Sequence, residues 1–145
     1  MIFFKNKTKK KKEIVERKLS PTQIGNIGED YIARYLKKNG YKIVERNMRN
    51  YFSEIDIIAK NKEYIIFVEV RTRSTDCILP PAAAVDYKKR RKIVYAVQCY
   101  LKDNSIKIQP RIDIAEVYLN KSTYKVERMN YIENAIGQGR GYAPF

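Results

Sequence analysis

The chain has 145 residues, 44% of them hydrophobic, and a formal net charge of +14. That is the length of one domain with enough apolar content for a core, and no apolar run reaches the roughly 18 residues that a membrane-crossing helix needs. It contains no histidine, which excludes Ser-His-Asp and Cys-His nucleophilic sites, paired-histidine ribonucleases, zincins and histidine-dependent metal nucleases. Any catalysis falls to carboxylates, Lys/Arg, Tyr, Ser/Thr and a hard metal ion.

The chain starts with a basic segment. Residues 1–18 hold seven Lys and one Arg against Glu13 and Glu16, without the apolar spacing needed to pack, and read as a mobile basic arm ahead of a single domain over residues 19–145. The apolar residues 1–4 run into lysines, whereas a secretory signal places its charge first; a cytoplasmic protein with no membrane partner is expected. The remainder of the chain is still basic, which points to a polyanionic partner, nucleic acid before others. Cys77 and Cys99 are far apart and form no Cys-x-x-Cys, so they read as buried or half-buried thiols.

A helix follows the arm. Ser20 is a good N-cap, Pro21 suits the first helical position and Gln23 completes a capping box. Ile24, Ile27, Tyr31, Ile32, Tyr35 and Leu36 recur at helical spacing, and Asn39-Gly40 closes the element. Three strands are predicted next, over residues 41–46, 54–59 and 64–71, with Asn61-Lys62 in the last turn. Pro80-Pro81 breaks the chain. A second helix is predicted from Asp86 to about Asp103, with Ile93, Val94, Ala96, Val97, Tyr100 and Leu101 on its apolar side. Residues 112–119 read as a strand, 123–127 as its short partner, and 131–136 as a small helix before a Gly-rich end. The order predicts an α/β sandwich with a mixed sheet of about four or five strands.

The second and third strands carry the chemistry. With residues 60–63 as the loop, Ala59 faces Tyr64, Asp56 faces Phe67 and Glu54 faces Glu69. Side chains alternate with period two, so Glu54, Asp56, Glu69 and Arg71 share one face, while Ile55, Ile57, Ile66, Val68 and Val70 share the other, in the core. Asp56 and Glu69 are then diagonal neighbours, about 7–8 Å apart. Close carboxylates repel, and a hydrated divalent cation relieves both. Mg²⁺ is held by one or two carboxylates, waters and substrate phosphate oxygens, an arrangement that cleaves phosphodiesters without histidine. Alternating acidic residues also mark an ordinary solvated face, and the hairpin by itself favours that plainer account.

Two further features shift the balance. Glu29 stands mid-helix in an apolar segment, placed to lean over the sheet and complete the cluster; on a helix surface it would do nothing. Lys88, Lys89, Arg90, Arg91 and Lys92 crowd the start of the second helix, where cations oppose the helix dipole. Contact with phosphate explains them better. Arg46, Arg49 and Arg73 lie near strand ends, and cations rimming an acidic pocket suit a phosphate backbone. Tyr51 and Tyr87 are candidates for base stacking.

The segments GNIGEDYIARYLKKNGYKIVERNMRN, SEIDIIAKNKEYIIFVEVRTR, AAAVDYKKRRKIVYAVQCYL and PRIDIAEV resemble the bacterial YraN family of predicted endonucleases. That family is itself similar to archaeal Holliday-junction resolvases of the restriction-endonuclease-like PD-(D/E)xK fold. The resemblance implies an αβββαβ core and a metal-dependent DNA endonuclease that uses Mg²⁺ or Mn²⁺. Branched DNA, DNA repair or recombination, and a homodimer are implied with it. By matching position, Glu29 takes the place of the helix carboxylate, Asp56 that of the metal-binding Asp, and Glu69 that of the Glu in (D/E)xK. Val70 would offer its carbonyl as a further ligand. Two positions depart from the family pattern: Ser53 stands where Gly is usual, and Arg71 where Lys is. Arginine does not give up its proton to act as a base, so a second account is a catalytically inactive nucleic-acid-binding protein on a nuclease-like fold. In the active account, Lys88 or Lys92 supplies the missing ammonium.

Overall fold

The computed structural model describes residues 17–78 and 86–137. The arm up to residue 16, the Pro80-Pro81 break and the Gly-rich end lie outside them. Seven elements follow in the order α1 (Pro21–Lys38), β1 (Lys42–Arg49), β2 (Glu54–Lys60), β3 (Tyr64–Ser74), α2 (Tyr87–Asp103), β4 (Gln109–Leu119) and β5 (Val126–Ile136). This is the expected α/β order αβββαβ with one more strand. The strands form one mixed sheet in sequential order, with β3 and β4 parallel and every other pair antiparallel. The parallel pair needs a crossover, and α2 supplies it.

Local chemistry sets the helix ends as anticipated. Ser20 Oγ accepts from Gln23 N–H and Gln23 Oε1 accepts from Ser20 N–H, a reciprocal capping box. Gly40, just beyond α1, has φ +85°, the left-handed turn that glycine adopts without cost. Asp86 caps α2 by accepting from Lys88 N–H. No helix among the described residues is long and apolar enough to cross a membrane. Cys77 and Cys99 are free and half-buried.

Both sheet faces are covered, which corrects the expectation of one core face and one site face. Against α1 pack Ile57, Ala59, Ile66, Val68, Ala115 and Val117 around Ile32 and Leu36. Against α2 pack Ile58, Ile65, Phe67, Ile112 and Ile114 around Ile93, Val94 and Val97. Each Ile, Leu, Val or Phe among them contributes about 1.5–3 kcal/mol, and the alanines less. Ile55 also belongs to the α2 side, so the alternation breaks beside Asp56: Ile55 and Ile58 share a face, and Ile57 lies on the other. On β1, in the same stretch, Asn47 takes φ +52° between the pairs Arg46↔Ile57 and Met48↔Ile55.

The β2–β3 register is also corrected. The pairs are Ile57↔Val68, Ile58↔Phe67, Ala59↔Ile66 and Lys60↔Ile65. The turn covers residues 61–64, because Asn61 closes it: its Oδ1 accepts from Glu63 and Tyr64 N–H, and its own N–H donates to Tyr64 O. Moving a loop by one residue moves the register by two. Glu69 and Arg71, i and i+2 on β3, share a face whatever that register is.

The C-terminal part departs most. Residues 131–136 belong to β5 rather than to a helix, and the partner strand starts at Val126 because residues 120–125 form a turn closed by Asn120. Between the pairs Ile114↔Ile132 and Ile112↔Ile136, β5 carries extra residues, with Asn134 at φ +51°. This bulge lets Ile132, Ala135 and Ile136 all pack on one core, a spacing of three and four that imitates a helical period in the sequence.

Candidate functional site

The site begins where β2 and β3 part. The regular ladder ends at Ile57↔Val68. Just beyond it, Val70 N–H donates to Asp56 Oδ2 at 2.7 Å. Val70 thus reaches this carboxylate through its N–H. Asp56 is half-buried. Its carboxyl is pushed up to about 7, first by desolvation, then by the charges of Glu69, Glu29 and Glu54, against the Val70 hydrogen bond that lowers it. Among the described residues no Lys or Arg forms an ion pair with it.

Glu29 comes from α1, as expected. Its neighbour Gly28 makes the approach possible: a Cβ there would stand 1.8 Å from Thr72 Oγ1 of β3, so only glycine lets the helix lie this close to the sheet. Glu29 Oε2 is buried without a hydrogen-bond partner among the described residues, and Arg46 Nη2 sits 3.5 Å away as an ion pair. Burial raises the Glu29 carboxyl, and Arg46 opposes that rise. Asp30 points outward to Arg46 Nη1 at 2.8 Å.

Glu69 is nearly buried on the α2 side, and Lys89 Nζ lies 2.5 Å from its Oε1. The ammonium at the cluster is therefore that of Lys89, rather than of Lys88 or Lys92. Helical spacing was the available signal: Lys89 falls four residues before the buried Ile93, on the inward side of α2. Arg71 lies two residues beyond Glu69 on the same face, with no ion pair among the described residues. It pairs in the parallel ladder with Glu116, a buried carboxylate that accepts from Asn130 Nδ2 at 3.2 Å. Glu116 escaped the sequence reading. Its only signal was alternation with Ile112 and Ile114.

The rim residues divide. Arg46 and Arg49 are held in ion pairs within the chain, Arg49 on the surface with Glu54 at 2.7 Å. Lys88, Arg91 and Lys92 are exposed on the first turns of α2. Arg73 lines a separate open cavity of about 530 Å³ with Arg17, Lys18 and Lys121.

Among the described residues, no three acidic, cysteine or histidine side chains gather into a metal cage. The donor set suits an open site instead: hard oxygens from Asp56 and Glu69, mutual repulsion that a cation relieves, and a buried Glu29 oxygen with an ion pair but no hydrogen bond among the described residues. Mg²⁺ is held in this way, by one or two carboxylates with water completing the shell.

A family model described as "Uncharacterised protein family UPF0102" matches residues 28–133. A UPF0102 protein of Caldanaerobacter subterraneus subsp. tengcongensis is 44% identical over 121 residues, covering 83% of this chain and 99% of that protein. One from Clostridium acetobutylicum is 44% identical over 113 residues, covering 77% and 92%. One from Alkaliphilus oremlandii is 43% identical over 117 residues, covering 79% and 97%.

Proposed function

The chain belongs to UPF0102, the YraN family of the sequence resemblance, and from the site it carries we propose that it is a metal-dependent DNA endonuclease acting on branched DNA in repair or recombination. The observation that carries this reading is the Asp56 carboxylate, set among Glu69, Glu29 and Glu54 with no protein cation paired to it among the described residues. A structural carboxylate would have been given one. Asp56 and Glu69 would hold a hydrated Mg²⁺ or Mn²⁺, with Glu29 beside them. When bound, such an ion supplies Lewis acidity to water and to a phosphate oxygen.

The chain's own residues then have separable tasks. Arg71 places a permanent positive charge on the Glu69 face, where a scissile phosphate accumulates negative charge. Lys89, now on Glu69, is the ammonium nearest that phosphate; either cation can hold a water, but only Lys89 can pass a proton. Lys88, Arg91 and Lys92 bind flanking phosphates without reading sequence.

A second reading is favoured by one contact: Lys89 already neutralises Glu69. If that ion pair persists on DNA, the chain is a nucleic-acid-binding protein on a nuclease-like fold. A cleavage assay separates the two, using linear, flapped and four-way DNA with Mg²⁺, Mn²⁺ or chelator. The nuclease reading expects metal-dependent cuts in a branched substrate, lost in Asp56→Asn and Glu69→Gln while DNA binding remains. Binding to every substrate with cleavage of none, under either metal, sinks it.

A further inference from the structure

An aromatic strip runs along the surface made by the β1–β2 loop and α2. Tyr51, 96% exposed, meets Phe52 edge-on with ring centroids 5.4 Å apart. Phe52 leans on Tyr95 at 5.6 Å. The Arg91 guanidinium lies 5.7 Å from the Tyr95 ring and 5.8 Å from the Tyr87 ring, and its Nη2 donates to the Tyr95 hydroxyl at 2.9 Å. Phe52, Tyr87 and Tyr95 are each at least 40% exposed. Tyr87, Arg91 and Tyr95 recur every four residues, on the side of α2 opposite its buried Ile93, Val94 and Val97.

The strip is held in place from beneath. Asn50 Nδ2 donates to Ala96 O of α2 at 3.0 Å, and Asn50 Oδ1 accepts from Phe52 N–H at 3.1 Å. The loop is thereby tied to the helix, and its rings keep their order without a partner. Both supports lead into the site: the loop runs on to Asp56, and α2 carries Lys89 to Glu69.

We propose that this strip is a stacking platform for single-stranded DNA next to the cleavage site. The inference rests on the DNA reading above and adds that the substrate presents unpaired bases there. A duplex hides its base faces in its own stack and offers only grooves and phosphates, to which a row of rings has nothing to bind. Unpaired bases expose faces that stack on rings and on guanidinium planes, and their phosphates meet the cations of the same helix. A second copy of the chain is the poorer occupant. Five consecutive cations, residues 88–92, stand beside the strip, and a twofold contact would set them against their own copies.

The test uses the full chain with metal chelated. A single-stranded oligonucleotide carrying 2-aminopurine is compared with a blunt duplex of the same sequence. The wild type is expected to change 2-aminopurine fluorescence on binding the single strand. Tyr51→Ala combined with Tyr95→Ala should weaken single-strand binding roughly 10–100-fold and remove the fluorescence change. Duplex affinity should move less than about threefold, and the slope of log K against log salt should hold, because no charge is lost. Tyr51→Phe with Tyr95→Phe should retain single-strand binding, which separates ring loss from misfolding. Equal loss on both DNAs, or no loss on the single strand, overturns the inference. So does a double alanine variant that turns a wild-type dimer into a monomer by sedimentation. If the wild type cleaves branched DNA yet the alanine variant binds single strands normally, only this inference falls; if the wild type binds neither DNA, both readings fall.

Discussion

Asp56 and Asp113 are both drawn out of bulk water within the same sheet, and the protein treats them in opposite ways. Asp113, fully buried on β4, accepts from Arg111 Nε and Nη2, from the Tyr131 hydroxyl at 2.7 Å and from Asn134 N–H at 2.8 Å. Burial and the Asp113 charge push the Tyr131 hydroxyl up, so it stays a donor. Every lone pair is met, and the last of these bonds fixes the β5 bulge. Asp56 receives one backbone N–H and the repulsion of three carboxylates. A desolvated charge with its counter-charge and donors is architecture. One left among like charges has a cost that folding alone does not justify, and it marks where a cation from outside is expected.

The sharpest way to break that contrast is to remove the satisfied carboxylate. Asp113→Ala removes the buried partner of Arg111, leaving only the exposed Glu133 carboxylate at 3.5 Å, and should cost roughly 3–5 kcal/mol, seen as a large drop in the urea midpoint. A loss under about 1 kcal/mol would show the network to be ornamental. Next in size is Arg71→Ala, expected to slow cleavage by about 10²-fold with the fold intact; Arg71→Lys should keep or raise the rate. An unchanged rate in the alanine variant would remove Arg71 from the site. Gly28→Ala drives a methyl into Thr72 Oγ1 and should destabilise by roughly 1–3 kcal/mol. Adding Thr72→Ala should recover part of it, and failure to recover would place the strain elsewhere.

An effect of similar size to that of Gly28→Ala has the opposite sign. The Asp56 carboxyl is raised from 3.8 to about 7, so the native state holds its proton more tightly than the unfolded chain does. The stability this contributes is full below pH ~4, fades as pH rises toward 7, and is gone above it. Asp56→Asn should therefore stabilise the metal-free protein at pH 8, by roughly 1–3 kcal/mol once its solvent-open side is discounted, and change little at pH 4. Equal melting curves for variant and wild type at pH 8 would mean that Asp56 carries no such strain.

Much of this was legible in the sequence, because the deciding signals were local. The Ser20–Gln23 box, the Asp86 cap, the apolar stripe of α2 and the parity of Glu69 and Arg71 follow from near neighbours. The misplaced turn at Asn61 left the faces of β3 as expected, whereas the break in β2 that turns Ile55 to the α2 side had no local signal. What escaped depends on contacts distant in sequence. The β5 bulge copied a helical period because Asp113 captures Asn134 N–H from another strand. Helical spacing put Lys89 on the inward side of α2, but its partner Glu69 was set only when the crossover laid α2 over β3. The strip of Tyr51, Phe52 and Tyr95 joins two elements more than 40 residues apart.

The most direct test of the contrast is calorimetric titration of the DNA-free protein with Mn²⁺ at pH 8. One saturable site is expected in the wild type and in Arg71→Ala, lost in Asp56→Asn and in Glu69→Gln. Undiminished binding by Asp56→Asn, or no binding by the wild type, would contradict the claim that this carboxylate is kept unpaired for a metal ion.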